Sequence, residues 1–332
     1  MPTPMTVPAP PTVADRLDVT VTIASQRVVI ALTAGTPSLP PGVRAVHWDL
    51  TGPLPDGVAP ADVDMVVLPN RGMTEADRTV LAGLPHLRVV QLSSAGYEHA
   101  LPLLPPGLVL CNGRGVHDAG TAELAVGLVL ASQRGIDDAV RAMPAGRWAP
   151  TKRSSLADRR AVVVGAGAIG SAIRRRLEVF EVEVVMVGRT ARDEPDGTPV
   201  HARSELPDLV ADADVVVLVL PLTPDTERIA DADLLARMPD GALLVNVGRG
   251  RLVDTDALVA EVRAGRLRAA LDVTEPEPLP SDHPLWTAPG VIITPHLGGS
   301  TDATIPRLAE LLRRQLDALA AGEEPLNSVA RT

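Results

Sequence analysis

Short unbroken runs of valine, isoleucine and leucine alternate along this chain with stretches whose apolar residues recur at helical spacing. That pattern predicts successive parallel βα units. In the first third, strands are expected at Val28–Leu32, Val43–Trp48, Val63–Leu68, Val89–Leu92 and Leu108–Cys111, with a helix at Glu75–Ala82. A long helical stretch, Gly120–Arg134, follows, and then a polar segment punctuated by proline and glycine, Met143–Arg160. A second series of strands opens at Ala161: Ala161–Val164, Val182–Val187, Val215–Leu218, Leu243–Asn246, Ala269–Asp272 and Val291–Thr294. These runs do not alternate with polar residues, as expected of strands buried on both faces. Helices are expected between them at Ala168–Leu177, Asp231–Arg237 and Asp254–Ala264, and a last amphipathic one at Thr301–Ala321. The fold class is α/β, with two doubly wound parallel sheets, the second beginning in mid-chain.

Composition narrows the picture. A length of 332 residues suits two domains, and 45% hydrophobic with 22% charged residues is ordinary for a chain that buries a core. Aromatics are only 2%, so the core must be aliphatic. The net charge of -10 argues against a nucleic-acid backbone or an anionic membrane surface as partner. The apolar runs are too short to span a bilayer. Cys111 is the single cysteine, which excludes an intramolecular disulfide and fits a reducing cytoplasm. No catalytic cysteine signature surrounds it, so it reads as a small buried side chain. The first dozen residues are proline-rich, lack the basic start and apolar stretch of a signal peptide, and are expected to form a disordered tail.

The strand Ala161–Val164 runs into Gly165-Ala166-Gly167-Ala168-Ile169-Gly170, a G-x-G-x-x-G turn that opens a helix. In that context the turn is a dinucleotide-binding fingerprint. Gly165 permits the tight turn, Gly167 admits a pyrophosphate, and Gly170 allows close helix packing. The phosphates would lie on the helix N-terminus, with Ala168 and Ile169. Sites for NAD place an acid at the end of the next strand, where it bonds the ribose 2′-hydroxyl. Here that position reads Gly188-Arg189-Thr190-Ala191-Arg192. Arginine suits a 2′-phosphate, Thr190 adds a hydroxyl and Arg192 is within reach, so NADP(H) is expected over NAD(H).

Three later strand ends carry an arginine, acids and a histidine: Asn246-Val247-Gly248-Arg249-Gly250-Arg251, Asp272-Val273-Thr274-Glu275-Pro276-Glu277-Pro278 and Thr294-Pro295-His296-Leu297-Gly298. Singly, each is most often a surface or structural feature. Together, beyond the carboxyl ends of strands in a dinucleotide fold, they suit hydride transfer to a 2-oxo acid. A guanidinium fork binds the carboxylate, and a positioned imidazole donates a proton, its charged form favoured by a neighbouring carboxylate. The remaining histidines form no metal-ligand spacing, and no metal is expected.

With these segments in order, joined by Leu92–Gly96, Thr121-Ala122-Glu123, Gly146-Arg147-Trp148, Pro221-Leu222-Thr223-Pro224 and Asp282–Trp286, the sequence from about Val89 to Thr301 resembles the D-isomer-specific 2-hydroxyacid dehydrogenases. The resemblance implies a catalytic arginine at Arg249, an acid/base histidine at His296 and its paired acid at Glu277 rather than Glu275. It implies cofactor contacts at Leu220, Pro221, Leu222, Thr226, Val247, Gly248, Asp272 and Gly298. It places a substrate-carboxylate loop at Ser94, Ala95 and Gly96, with Tyr97 and Arg71 as candidate substrate contacts. Arg251 receives no role. The implied architecture is a substrate-binding domain of residues 1–115 and 299–332, into which a dinucleotide-binding domain, residues 116–298, is inserted across a hinged cleft. The region from Gly120 to Trp148 resembles the family's dimer-forming helix and arm, which implies a homodimer. The activity implied is reduction of a small 2-oxo acid to the D-2-hydroxy acid. Formate or phosphite oxidation on the same scaffold is one alternative, disfavoured for formate by the acid at Glu277. A dinucleotide-sensing corepressor is another, disfavoured because no appended interaction segment is visible.

Overall fold

The computed structural model describes residues 19–34, 38–69 and 73–332. Arg71 and the proline-rich start lie outside them. The chain divides into two compact units, Met1–His117 with Asp302–Thr332, and Asp118–Thr301.

In the first unit, β1 (Val19–Ile23), β2 (Val43–His47), β3 (Val63–Val67), β4 (Val89–Gln91) and β5 (Val109–Cys111) form a parallel sheet in the order β2-β1-β3-β4-β5. One correction concerns its start. Val28–Leu32, expected as a strand, lies in helix α1 (Gln26–Thr33), and the first strand is the preceding Val19–Ile23. The reason is spacing: Val28, Val29 and Leu32 fall on one helical face and are buried, while Ile30 is 55% exposed. Helix α2 (Glu75–Ala82) starts at a capping box in which Thr74 and Asp77 satisfy each other's amides.

The second unit opens with α3 (Asp118–Arg134) and α4 (Ile136–Ala142). Its strands are β6 (Arg160–Val164), β7 (Glu183–Gly188), β8 (Arg192–Asp193), β9 (Pro199–Ala202), β10 (Val215–Leu218), β11 (Leu243–Asn246), β12 (Arg268–Leu271) and β13 (Val291–Ile293). They lie in the order β13-β12-β11-β10-β6-β7-β9-β8, parallel except for the β8–β9 hairpin. Strand order therefore reverses between β6 and β10, the switch point at which such sheets bind dinucleotides. Helices α3 and α5 (Ala168–Glu178) cover one face, with Ala125, Val129, Ile173 and Leu177 in its core. On the other face α6 (Leu206–Leu209), α7 (Ala232–Arg237) and α8 (Thr255–Arg263) contribute Leu206, Leu235, Leu258 and Val262. Asp231 and Asp254 cap α7 and α8 by accepting from the amides of Leu234 and Ala257. Burial on both faces explains why β10 and β11 read as aliphatic runs.

The chain returns to the first unit through α9 (Thr304–Ala320) and β14 (Ser328–Arg331), which adds antiparallel to β5. Leu308, Leu311, Leu312 and Leu316 of α9 pack with Val28 and Leu32 of α1 in one core cluster. Among the described residues no helix is long and apolar enough to cross a membrane.

Candidate active site

At the switch point, β6 runs into Gly165, whose φ of +128 is open to few residues but glycine. A Cβ there would meet the Val219 carbonyl oxygen at 2.5 Å, where the chain leaves β10. A Cβ on Gly170 would lie 1.8 Å from the Gly165 carbonyl oxygen, so this glycine lets the turn close on itself. At Gly167 a Cβ would meet no atom within 4 Å. Its open face lies beside the first-turn amides of Ala168, Ile169 and Gly170, which no intrahelical acceptor satisfies. Amides, dipole and clearance together fit a pyrophosphate.

At the end of β7, Arg189 and Thr190 are exposed and without a side-chain partner among the described residues. Arg192 is engaged. Its Nη2 donates to the Ala166 carbonyl at 2.9 Å and pairs with Glu194 at 2.6 Å. The turn after β10 is tied internally: Thr226 Oγ1 donates to the Pro221 carbonyl at 2.7 Å and accepts from the Thr223 amide at 2.8 Å. Leu220 and Leu222 rest against the adjacent core.

The loops after β11, β12 and β13 carry the candidate side chains Arg249, Glu277 and His296. Asn246, 1% exposed, donates from Nδ2 to the Arg249 carbonyl at 2.8 Å and accepts from the Gly248 amide at 3.0 Å. Both bonds fix the loop that presents Arg249. Val247 points into the core. Gly250 presses this loop onto the next one, since a Cβ would sit 1.9 Å from the Thr274 carbonyl oxygen. That next loop is held by Thr255 Oγ1, which donates to the Glu275 carbonyl at 3.0 Å, and by Thr274 Oγ1, which donates to the Pro276 carbonyl at 2.9 Å.

Asp272, 3% exposed, is the hub of the third loop. Its Oδ1 accepts from Thr294 Oγ1 and the Leu297 amide, both at 2.7 Å, and its Oδ2 from the Gly298 amide at 2.9 Å. Its carbonyl accepts from the His296 amide at 2.9 Å. The loop winds around this carboxylate and holds His296 at a φ of +52. The His296 ring then meets Glu277, Nδ1 to Oε1, at 2.5 Å. Both side chains are open to solvent, so Nε2 is the ring nitrogen left to act on a bound molecule. Glu275 is exposed and makes no side-chain contact of this kind, whereas Arg251 pairs with Glu227 at 2.6 Å.

In the first unit, the Ser94–Gly96 turn is fixed by the Gly113 amide on the Ser94 carbonyl and by Asn112 Nδ2 on the Ala95 carbonyl, both at 2.7 Å. Ser94 Oγ donates to the Gly96 carbonyl. Tyr97 packs half-buried against the core. Burial pushes the Cys111 thiol up to about 11, which keeps it protonated and unreactive at neutral pH. Among the described residues no group of three or more His, Cys, Asp or Glu side chains could hold a metal ion.

Sequence reasoning did not single out Glu194, Thr255 or the loop-holding role of Asn246. A polar residue closing an aliphatic strand was the available signal for Asn246. Glu194 and Thr255 act through tertiary contacts that spacing does not reveal.

Residues 126–298 match the family described as D-isomer specific 2-hydroxyacid dehydrogenase, NAD binding domain. The glyoxylate reductase/hydroxypyruvate reductase of Homo sapiens is 32% identical over 292 residues, covering 83% of this chain and 88% of that protein. An uncharacterized protein of Corynebacterium melassecola is 40% identical over 179 residues, 53% of this chain and 59% of that protein's length. Among solved structures, a D-isomer specific 2-hydroxyacid dehydrogenase from Xanthobacter autotrophicus Py2, in complex with NADPH and MES, aligns with a TM-score of 0.78 at 29% identity. That alignment covers 94% of this chain and 98% of the other.

Proposed function

The chain belongs to the D-isomer-specific 2-hydroxyacid dehydrogenase family, and from that premise we propose that it reduces a small 2-oxo acid of the glyoxylate or hydroxypyruvate kind, with NADPH preferred to NADH. It is an NAD(P)-dependent oxidoreductase. The observation that carries the substrate chemistry is the His296–Glu277 pair at 2.5 Å on a loop wound around a buried carboxylate.

When bound at the glycine turn, a reduced nicotinamide dinucleotide would supply a hydride to C2 of the oxo acid. The carbonyl electron pair then becomes an alkoxide, which takes the proton from His296 Nε2. Glu277 accepts the Nδ1 proton's hydrogen bond and so sets the ring's orientation. Arg249 binds the substrate carboxylate with its planar fork and polarises the carbonyl. In the first unit, the Ser94–Gly96 turn is proposed as a carboxylate-binding loop, with Tyr97 beside it. Asp272 and Asn246 hold the loops from beneath. The preference for NADPH rests on Arg189 and Thr190, which are exposed and, among the described residues, without a side-chain partner where NAD enzymes carry an acid.

Two further parts of the reading are a reducing cytoplasm as the compartment and a two-fold homodimer through α3, α4 and the following arm. Exposed apolar side chains there, Val140, Met143 and Trp148 at 57%, 72% and 94%, support that reading. Light scattering that returns the mass of one chain rejects the dimer.

The test of activity is loss of NADPH absorbance with glyoxylate, hydroxypyruvate, pyruvate and phenylpyruvate, repeated with NADH. Turnover of at least one of the first two, faster with NADPH, is expected. No turnover with any of the four overturns the proposal.

A further inference from the structure

We infer that Glu194 limits the chain's preference for a 2′-phosphorylated dinucleotide by holding the guanidinium of Arg192, which would otherwise serve that phosphate. The inference rests on the reading of Arg189–Arg192 as the segment that faces the adenosine ribose.

Arg192 lies between two fixed points. Its Nη2 is 2.9 Å from the carbonyl of Ala166, inside the glycine turn. Its Nη1 passes over Gly188, where a Cβ would approach within 2.7 Å. The guanidinium therefore bridges the end of β7 and the phosphate turn, the place where a doubly wound sheet puts the ribose 2′ position. Glu194 Oε1 sits 2.6 Å from the same Nη2.

Glu194 is not a loosely held surface acid. Its side chain is 25% exposed. Its amide donates to the Thr198 carbonyl and its carbonyl accepts from the Gly197 amide, so the β8–β9 hairpin fixes its backbone. The hairpin tip is in turn tied to α5 by the Arg174–Asp196 pair at 2.5 Å. The two cations of the segment thus differ. Among the described residues Arg189 has no counter-charge, whereas Arg192 is paired with Glu194. A 2′-phosphate carries about −1.5 to −2 charges at neutral pH. To use Arg192 it must lie beside the Glu194 carboxylate or displace it. A dinucleotide with a 2′-hydroxyl meets no such repulsion.

The test is Glu194→Gln in the full chain, read by titration calorimetry without turnover, with NADP+, NAD+ and adenosine 2′,5′-bisphosphate as probes. The expected result is binding of NADP+ and of the bisphosphate tightened about threefold to fivefold, the size typical of a partly exposed ion pair. NAD+ binding should stay within about twofold, and the gain should shrink in high salt. Adding Arg192→Ala to Glu194→Gln should abolish the gain, because the two act as one pair. Unchanged or weaker NADP+ binding in Glu194→Gln overturns the inference, as does a gain that survives loss of Arg192. The cofactor reading stands or falls separately, on the NADP+ to NAD+ ratio of the unaltered chain. If that chain prefers NAD+, Glu194→Gln still moves the ratio toward NADP+.

Discussion

At one end of the second unit, Asn246 and Asp272, 1% and 3% exposed, hold the loops of Arg249 and His296 from beneath. At the other end, Arg189 and Thr190 stand exposed, and Arg192 is held by the glycine turn and Glu194. On the proposed function, the difference follows from what each end would have to do. Proton transfer needs donor and acceptor within hydrogen-bond reach, so its side chains must be set to a fraction of an ångström. Buried polar hubs do this because each bond they make is expensive to break. A 2′-phosphate is attracted over longer distances by charge, and flexible surface arginines suffice. Substitutions at the reaction end should therefore act on kcat and stability, and those at the ribose end on cofactor affinity.

The sharpest separation is expected from Arg249→Ala. Loss of the fork should lower kcat/KM for the oxo acid by about 10²–10³-fold, the range seen when a transition-state donor is removed, while NADPH binding measured by fluorescence stays unchanged. Next comes Asp272→Ala. It strands the Thr294 hydroxyl and the Leu297 and Gly298 amides, and unsatisfied buried donors cost about 1–3 kcal/mol each before relaxation. Urea unfolding should show a loss of roughly 2–4 kcal/mol, with kcat reduced alongside. A variant as stable as the parent would break the idea that this carboxylate holds the loop.

Arg189→Asp tests the other end. It should raise KM for NADPH by about tenfold or more, the worth of a hydrogen bond to a charged group, with kcat little changed. An equal loss with NADH would show that Arg189 does not read the phosphate. The smallest effect is expected from Glu275→Gln. This acid is the near neighbour of Glu277 in sequence, but its side chain is exposed and free of the His296 contact. Its kcat should stay within about twofold, as for surface substitutions generally.

Much of the second unit was legible in the chain because its strands are buried on both faces. The strands expected at Val215–Leu218 and Leu243–Asn246 have those bounds in the structure. The first unit was harder at its start. Val19–Ile23 alternates valine with threonine, and both threonines are buried. The richer aliphatic run next to it, Val28–Leu32, drew the strand assignment that belonged to its neighbour. Periodicity also gave no sign of β14, a short half-exposed edge strand whose pairing with β5 is entirely non-local. At the site, the family resemblance pointed to Glu277 rather than Glu275, and the 2.5 Å contact to His296 involves Glu277. The engagement of Arg192 by Glu194 was not legible, since it depends on how a hairpin folds back over Gly188.

The account depends most on His296 as the proton donor. Single-turnover oxidation of bound NADPH by hydroxypyruvate should be slowed at least about 10²-fold in His296→Ala, with NADPH affinity and melting temperature near those of the parent chain. A variant that turns over at the parental rate would contradict it.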